Sequence, residues 1–230
     1  MTTAARSTAG WLLRSFAKLG VGGVGGLWLG ANYHDNPFLI PLRASKPAPA
    51  VDASSPSQLA AAATRLANEA GGMCVLSTVG ASGGVSSRMI QPLPIDDGGS
   101  ADCGISFHTT KQSRKFAELV ADSRCTLTYI NPSTLTCVTF IGEAERLSPE
   151  SEAHLRTAWP LMPPLSMLYG SSECLSSDFT GWRLRPARVQ VVSVPSALGG
   201  GPRLDWAPPE ISRQGDGPWT LVCRGGMQGL

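Results

Sequence analysis

Short runs of β-branched and apolar residues, separated by turn-forming residues, dominate the sequence from residue 73 onward. These runs are Met73–Val79, Val85–Ile95, Gly104–His108, Cys125–Ile130, Thr136–Leu147 and Trp182–Val194. Ala81-Ser82-Gly83-Gly84 and Asn131-Pro132 separate two pairs of them and predict hairpin turns. Many strands at hairpin spacing with few helices predict a mainly β domain that closes into a barrel, rather than a parallel sheet.

Three segments with helical spacing predict helices that flank this barrel. They are residues 56–70, 112–121 and 149–158. Ser55 has the residue type and position of an N-cap for the first helix. In the second helix the spacing predicts that Phe116, Leu119 and Val120 face inward.

Length and charge limit the class of protein. A chain of 230 residues with 42% hydrophobic residues can bury one good core. Its formal net charge of +2 gives no general reason to expect a nucleic-acid partner. We predict a domain over residues 56–206, preceded by a linker over 46–55 and followed by a tail over 207–230.

Residues 1–45 are predicted to be a targeting segment. Arg6, Arg14 and Lys18 lie before the first acidic residue, Asp35, and a basic, acid-free amphipathic start is typical of organelle transit peptides. The apolar stretch over residues 19–31 is shorter than the roughly 18 to 20 residues that span a bilayer. Import into a mitochondrion or plastid is therefore expected first, secretion second and a membrane anchor third, and no stable membrane span is expected.

The segment from Phe107 to Lys115 (FHTTKQSRK) joins a strand to the start of a helix. Unpaired backbone N–H groups at a helix N-terminus favour an anion. Ser113 adds a hydroxyl, Arg114 and Lys115 add positive charge, and Arg88 on the preceding strand is expected to be a direct neighbour. Basic residues are disfavoured at a helix N-terminus, so two of them indicate a phosphate site. The alternative is a capped helix with a solvated basic first turn.

Three separated motifs resemble the pyridoxamine 5'-phosphate oxidase family over roughly residues 56 to 206. They are Ser87-Arg88-Met89-Ile90, then Phe107-His108-Thr109-Thr110 with Ser113-Arg114-Lys115, then Phe140-Ile141-Gly142-Glu143-Ala144-Glu145-Arg146-Leu147. All three occur in the order that the family has. The resemblance implies a mainly β fold with flanking helices, a six-stranded FMN-binding split β-barrel. It also implies a homodimer with FMN at the subunit interface.

The same resemblance implies roles for eight side chains. Those implied around the FMN phosphate are Arg88, Ser113, Arg114 and Lys115. Those implied to line the flavin are Met89, Ile90, His108 and Thr109. No side chain is identified as a catalytic acid or base, which fits a reaction in which the flavin supplies the hydride chemistry. No metal is expected, since none of the histidines forms an i, i+4 pair.

Three departures from the family's pattern argue against oxidation of vitamin B6 itself. Cys137 stands where the vitamin-B6 oxidases have a glutamine that touches FMN. Leu93 stands where the family has a lysine five residues after its arginine. Asp205 follows Arg203-Leu204, where the family has the Arg-Leu-His that recognises the B6 substrate.

The sequence therefore predicts an FMN-dependent oxidoreductase that acts on an unidentified small molecule. A non-catalytic flavin- or haem-binding protein on the same barrel is the first alternative, because a fold does not fix a function. A structural dimer that has lost its ligand is the second. Trp159 either stacks near the flavin or is a core aromatic at the mouth of the barrel.

Overall fold

A computed structural model describes residues 55–95, 103–132, 134, 136–159, 177–193, 206–223 and 226–227. The predicted targeting segment and nearly all of the predicted linker lie outside these ranges, as does Arg203-Leu204-Asp205, so their assignments stay predictions. In the part of the chain that is described, no helix combines the length and the apolar character needed to cross a bilayer.

Up to Ser193 the described residues form helices and strands in the order that the hydrophobic pattern predicts, and further strands follow. The helices are α1 (Pro56–Glu69), α2 (Arg114–Ala121) and α3 (Pro149–Ala158). The strands are β1 (Cys74–Val79), β2 (Val85–Ile90), β3 (Ile105–Thr110), β4 (Arg124–Asn131), β5 (Thr136–Arg146), β6 (Phe179–Ser193), β7 (Trp206–Ala207), β8 (Glu210–Ser212), β9 (Thr220–Cys223) and β10 (Gly226–Met227).

The main sheet is antiparallel and has the strand order β2-β1-β4-β5-β6-β8-β9, with β3 paired to β6 as well. The prediction of a mainly β fold with flanking helices is confirmed, but this sheet has eight strands rather than six. The additional strands β8 and β9 come from the segment assigned to the tail, where glycines and prolines obscured the strand pattern. Ile211 of β8 is fully buried in the core, so this segment belongs to the sheet.

Alternation along the strands places one face of the sheet in the core. The core residues with no exposed surface include Leu76, Leu127, Phe140, Leu184 and Val189 from the strands, and Leu59 and Ala63 from α1. Burial of such side chains contributes roughly 1.5–3 kcal/mol each before the entropy of ordering the chain is subtracted. The α1 helix begins at its predicted cap, since the Ser55 hydroxyl accepts a hydrogen bond from the Gln58 N–H.

The second strand is shorter than predicted. It ends at Ile90 rather than Ile95, because two prolines follow and cannot donate to a neighbouring strand. After this point Leu93 donates its N–H to the Ser106 carbonyl at 2.8 Å. The Asn68 side chain then holds Ile95 through two hydrogen bonds of 2.9 Å, one to its N–H and one to its carbonyl. An amide side chain thus takes the place of a strand partner.

Candidate functional site

The start of α2 is built by a serine cap. Ser113 Oγ accepts a hydrogen bond from the Phe116 N–H at 3.3 Å and donates one to the Thr110 carbonyl at 2.6 Å. The hydroxyl proton of Ser113 is therefore used inside the turn. Ser113 is thus observed to cap the helix and fix its first turn. Its contact with a phosphate stays a prediction.

Charge at the start of α2 is the reverse of that at the start of α3. Two acidic residues, Glu150 and Glu152, lie in the first turn of α3, as the helix dipole favours. The first turn of α2 contains no acidic residue and begins with Arg114 and Lys115. The positive end of the α2 dipole thus adds to two positive side chains, an arrangement that favours an anionic ligand.

Arg88 reaches α2 from β2, although β2 and β3 are not neighbours. Pairing joins β2 to β1 and β3 to β6, so the expected direct neighbourhood of the two strands is wrong. Hairpin spacing along the sequence does not determine which strands pair. Arg88 lies on the same face of β2 as the buried Ile90 and beside Leu76 of β1, and its guanidinium contacts Glu118 of α2.

Glu118 is the site residue that sequence reasoning missed. Arg88 Nη1 donates to Glu118 Oε2 at 2.9 Å, and Arg88 Nη2 contacts the same oxygen. Arg114 Nε lies 3.2 Å from Glu118 Oε1. The prediction that Val120 faces inward is wrong, since Val120 is 62% exposed while Glu118 is buried. The i, i+4 spacing from Arg114 to Glu118 was the available signal for an ion pair.

The Glu118 carboxylate is held in its charged form. The hydrogen bond from Thr78, 2.6 Å long, has the largest effect on its pKa, which falls to about 2. Arg88 and Ser86 add to this effect and together they exceed the opposing effect of burial. Arg88, Arg114 and Glu118, together with Lys115 next to Arg114 in the first turn of α2, are what we call the α2 charge cluster, which has three positive charges and one negative charge.

The residues implied to line the flavin do not share one surface. Met89 is 56% exposed on the outer face of the sheet, while Ile90 points to the opposite side and is buried. Thr109 is fully buried, and its hydroxyl accepts a hydrogen bond from Trp182 Nε1 at 2.9 Å. Their contacts with a flavin stay predictions.

His108 lies in an aromatic cluster under α3. Its ring stacks on Phe179 at a centroid distance of 5.0 Å and meets the edge of Trp159 at 4.0 Å. Trp159 is 1% exposed, in agreement with the core alternative stated for it. Glu152 helps to hold α3 over this cluster, since its carboxylate accepts the Gly181 N–H at 3.0 Å.

The pH dependence of stability should report the burial of His108. Burial, with a further contribution from the charge of Lys115, lowers the pKa of His108 from 6.5 to about 4. As the pH falls from about 6.5 to about 4, the unfolded chain takes up a proton that the folded chain does not. The free energy of unfolding should therefore fall by up to about 3 kcal/mol in this window and change no further through this group below it.

Urea denaturation at a series of pH values measures this effect. His108→Gln should flatten the plot of unfolding free energy against pH between pH 6.5 and 4. His154 is exposed, so His154→Gln should leave this plot unchanged. The low pKa of Glu118 affects stability mainly below its ordinary value of 4.5, so the fall between pH 6.5 and about 5 reports His108. Identical profiles for the wild type and His108→Gln would show that His108 is not the group responsible.

A groove of about 320 Å³ opens where β1, β2, β4, β5 and β6 come together. Val79, Thr126, Ile141, Arg124 and Arg188 are among its lining residues. Thr78 lines the groove and also contacts the α2 charge cluster. Among the described residues, no group of three or more His, Cys, Asp or Glu side chains could hold a metal ion.

Comparison with known proteins decides the family. The sequence model described as pyridoxamine 5'-phosphate oxidase matches residues 62–193, more than half of the chain. The chain belongs to this family. The match spans the sheet from β1 to β6 and all of the α2 charge cluster. No curated protein sequence matches the chain at a significant level.

One solved structure supports the fold of the family. A pyridoxamine 5'-phosphate oxidase-related, FMN binding protein from Nostoc punctiforme PCC 73102 has a TM-score of 0.52 at 15% identity, and the match covers 74% of this chain and 98% of that one. PhzG from Burkholderia lata 383 has a TM-score of 0.49 at 19% identity, with 69% and 83% covered. A heme binding protein from Mycobacterium smegmatis has a TM-score of 0.46 at 21% identity, with 58% and 53% covered. The Nostoc structure supports the fold alone, since its sequence identity is low. The TM-scores of the other two are too low to support a conclusion about this chain.

Proposed function

We propose that this protein is an FMN-dependent oxidoreductase that holds the flavin by its phosphate. The observation that carries the proposal is the α2 charge cluster in a member of this family. Arg88, Arg114 and Lys115 would hold the phosphate beside the first turn of α2. When bound, FMN supplies the hydride chemistry, while the chain supplies binding and orientation. The substrate is an unidentified small molecule.

The charge of the cluster fits a phosphomonoester. Three cations and the Glu118 carboxylate leave a net of two positive charges. A phosphomonoester carries about −1.5 to −2 at neutral pH, so the two charges balance. Arginine also binds phosphate through two parallel hydrogen bonds, which a lysine cannot do.

The position of His108 argues against this histidine as a haem ligand. In haem proteins the iron is held by an axial ligand such as histidine. The ring of His108 is instead covered by Trp159 and Phe179. A non-catalytic flavin-binding protein stays the alternative to an enzyme.

A homodimer forms part of the proposal. Twelve outward-facing residues of four neighbouring strands are uncharged, namely Val75, Ser77, Val79, Val85, Ser87, Met89, Thr126, Thr128, Ile130, Cys137, Thr139 and Ile141. Val85, Met89 and Ile130 are each more than half exposed. Charged side chains, Arg124 and Glu143, lie on the same face at one end of β4 and β5. A largely uncharged surface suits contact with a second copy of itself about a twofold axis. Sedimentation equilibrium should give about twice the chain mass of 24.1 kDa, and the mass of a monomer would contradict this.

The chromophore of the purified full-length protein tests the proposal. We expect a yellow protein that releases FMN on denaturation and takes it up again after refolding. Reduction of the bound flavin by one member of a panel of reductants, followed by reoxidation, would support an enzyme. Bound FMN without any turnover would support the non-catalytic alternative. A colourless protein that does not take up added FMN would contradict both.

A further inference from the structure

Arg88 already holds an anion, the carboxylate of Glu118. Arg88 Nη1 lies 2.8 Å from Thr78 Oγ1 and 2.9 Å from Glu118 Oε2, and Arg88 Nη2 contacts the same two oxygens. Thr78 Oγ1 donates its own proton to Glu118 Oε2. The remaining nitrogen of Arg88, Nε, is buried and has no hydrogen-bond partner in the described part of the chain. The end of the guanidinium that would bind a phosphate is therefore occupied.

The exposure of the three side chains decides how a phosphate could approach. The Arg114 side chain is 78% exposed, so an incoming anion can reach it from solvent. Those of Arg88 and Glu118 are 21% and 8% exposed. A phosphate can therefore contact Arg114 without any rearrangement, but it can contact the Nη atoms of Arg88 only if Glu118 gives them up.

We infer that Glu118 competes with the phosphate of the ligand for Arg88. This inference rests on the proposed function, since the phosphate is taken to be that of FMN. On binding, the Arg88–Glu118 ion pair is exchanged for an Arg88–phosphate pair. Glu118 keeps two other partners, because Thr78 and Arg114 contact it independently of Arg88.

The exchange lowers the affinity that three cations would otherwise give. Arg88 has a charged partner both before and after binding, so its contact with phosphate adds less to the net free energy than that of an unpaired arginine would. The Glu118 carboxylate also stays close to the phosphate and repels it, since like charges in a partly buried site are weakly screened. Glu118 is thus an affinity-determining residue that would not itself contact the flavin.

The substitution Glu118→Gln tests the competition. Glutamine keeps the size of the side chain but removes the charge. Fluorescence titration of the apoprotein should give an FMN Kd at least about tenfold lower than that of the wild type. Affinity for riboflavin, which lacks the phosphate, should not change. Glu145→Gln, which removes an exposed carboxylate paired with Arg185, is the matched control and should leave both affinities unchanged.

Inorganic phosphate separates this inference from the proposed function. Phosphate should raise the melting temperature of Glu118→Gln more than that of the wild type. If this occurs while neither protein binds FMN, the proposed cofactor is wrong and the competition stands. Folded Glu118→Gln that binds FMN as the wild type does, or more weakly, would overturn the competition. The absence of any response to phosphate or to FMN in both proteins would overturn it as well.

A second variant covers the case in which Glu118→Gln does not fold. Glu118→Asp keeps the negative charge but shortens the side chain by one methylene, which weakens its contact with Arg88. We expect Glu118→Asp to bind FMN more tightly than the wild type, by a smaller factor than Glu118→Gln. Affinity equal to or weaker than that of the wild type would overturn the inference.

Discussion

Replacing Gly142 with alanine should remove a large part of the stability of the fold. A Cβ atom at this position would lie 2.0 Å from the Arg185 carbonyl oxygen and 2.8 Å from Pro186 Cα. Both atoms belong to the backbone of β6, so no change of side-chain rotamer can relieve the clash. The register of β5 and β6 shifts at Ile141 and Gly142, so the close approach occurs at a bulge between two central strands.

The expected decrease in the free energy of unfolding is about 3 kcal/mol or more, out of a typical total of about 5–15 kcal/mol. Urea denaturation of Gly142→Ala measures it. Gly84→Ala is a matched control in the β1–β2 turn, where the nearest atom to an added Cβ is Ser82 Oγ at 3.7 Å. The unfolding free energy of Gly84→Ala should lie within about 0.5 kcal/mol of the wild-type value. Equal denaturation midpoints for the two variants would show that β5 and β6 do not approach as closely as described.

Replacing Arg88 with alanine should weaken FMN binding by roughly 10- to 150-fold. The substitution removes a charge-assisted hydrogen bond to the phosphate, which is worth about 1.5–3 kcal/mol. Although Arg88 must first leave Glu118, its removal gives no gain, because Glu118 then faces the phosphate with less compensation of its charge. Arg185→Ala removes an exposed arginine from another part of the sheet and should bind FMN as the wild type does.

Stability gives a second readout for Arg88→Ala. Glu118 is left with Thr78 and Arg114 as partners, and the unfolding free energy should fall by about 1–3 kcal/mol. The double substitution of Arg88 and Glu118 by alanine should regain part of this stability, since no partly buried charge is left without its partner. Unchanged FMN affinity in folded Arg88→Ala would show that the phosphate does not bind at Arg88.

Local signals in the sequence predicted most of the elements. The N-cap at Ser55 and the strand runs depend on residue types within a few positions of each other, and the structure confirms both. The first helix ends just before Gly71 and Gly72, which have φ values of +86° and +77°, and glycine is the residue type that favours this conformation after a helix. Features that depend on residues close together in the sequence, such as caps and strand runs, can therefore be predicted from the sequence.

The pairing of distant elements could not be predicted in this way. β3 pairs with β6, more than 70 residues later, and no local pattern distinguishes this partner from β2. The burial of Glu118 depends on Arg88, 30 residues earlier, and on Thr78, 40 residues earlier. A glutamate in a short helix is ordinarily solvated, so its polar character favoured Val120 as the inward residue. Both errors concern contacts that exist only after folding.

The most direct test of phosphate binding by the α2 charge cluster compares two flavins that differ only in the phosphate. Apoprotein titrated with FMN and with riboflavin should bind FMN at least about a hundredfold more tightly, as two charge-assisted contacts of about 1.5 kcal/mol each imply. Flavin fluorescence measures both affinities in the same buffer at one fixed salt concentration, since salt screens the exposed Arg114. Equal affinities for the two flavins, or binding of neither, would contradict the claim that the α2 charge cluster holds the phosphate of FMN.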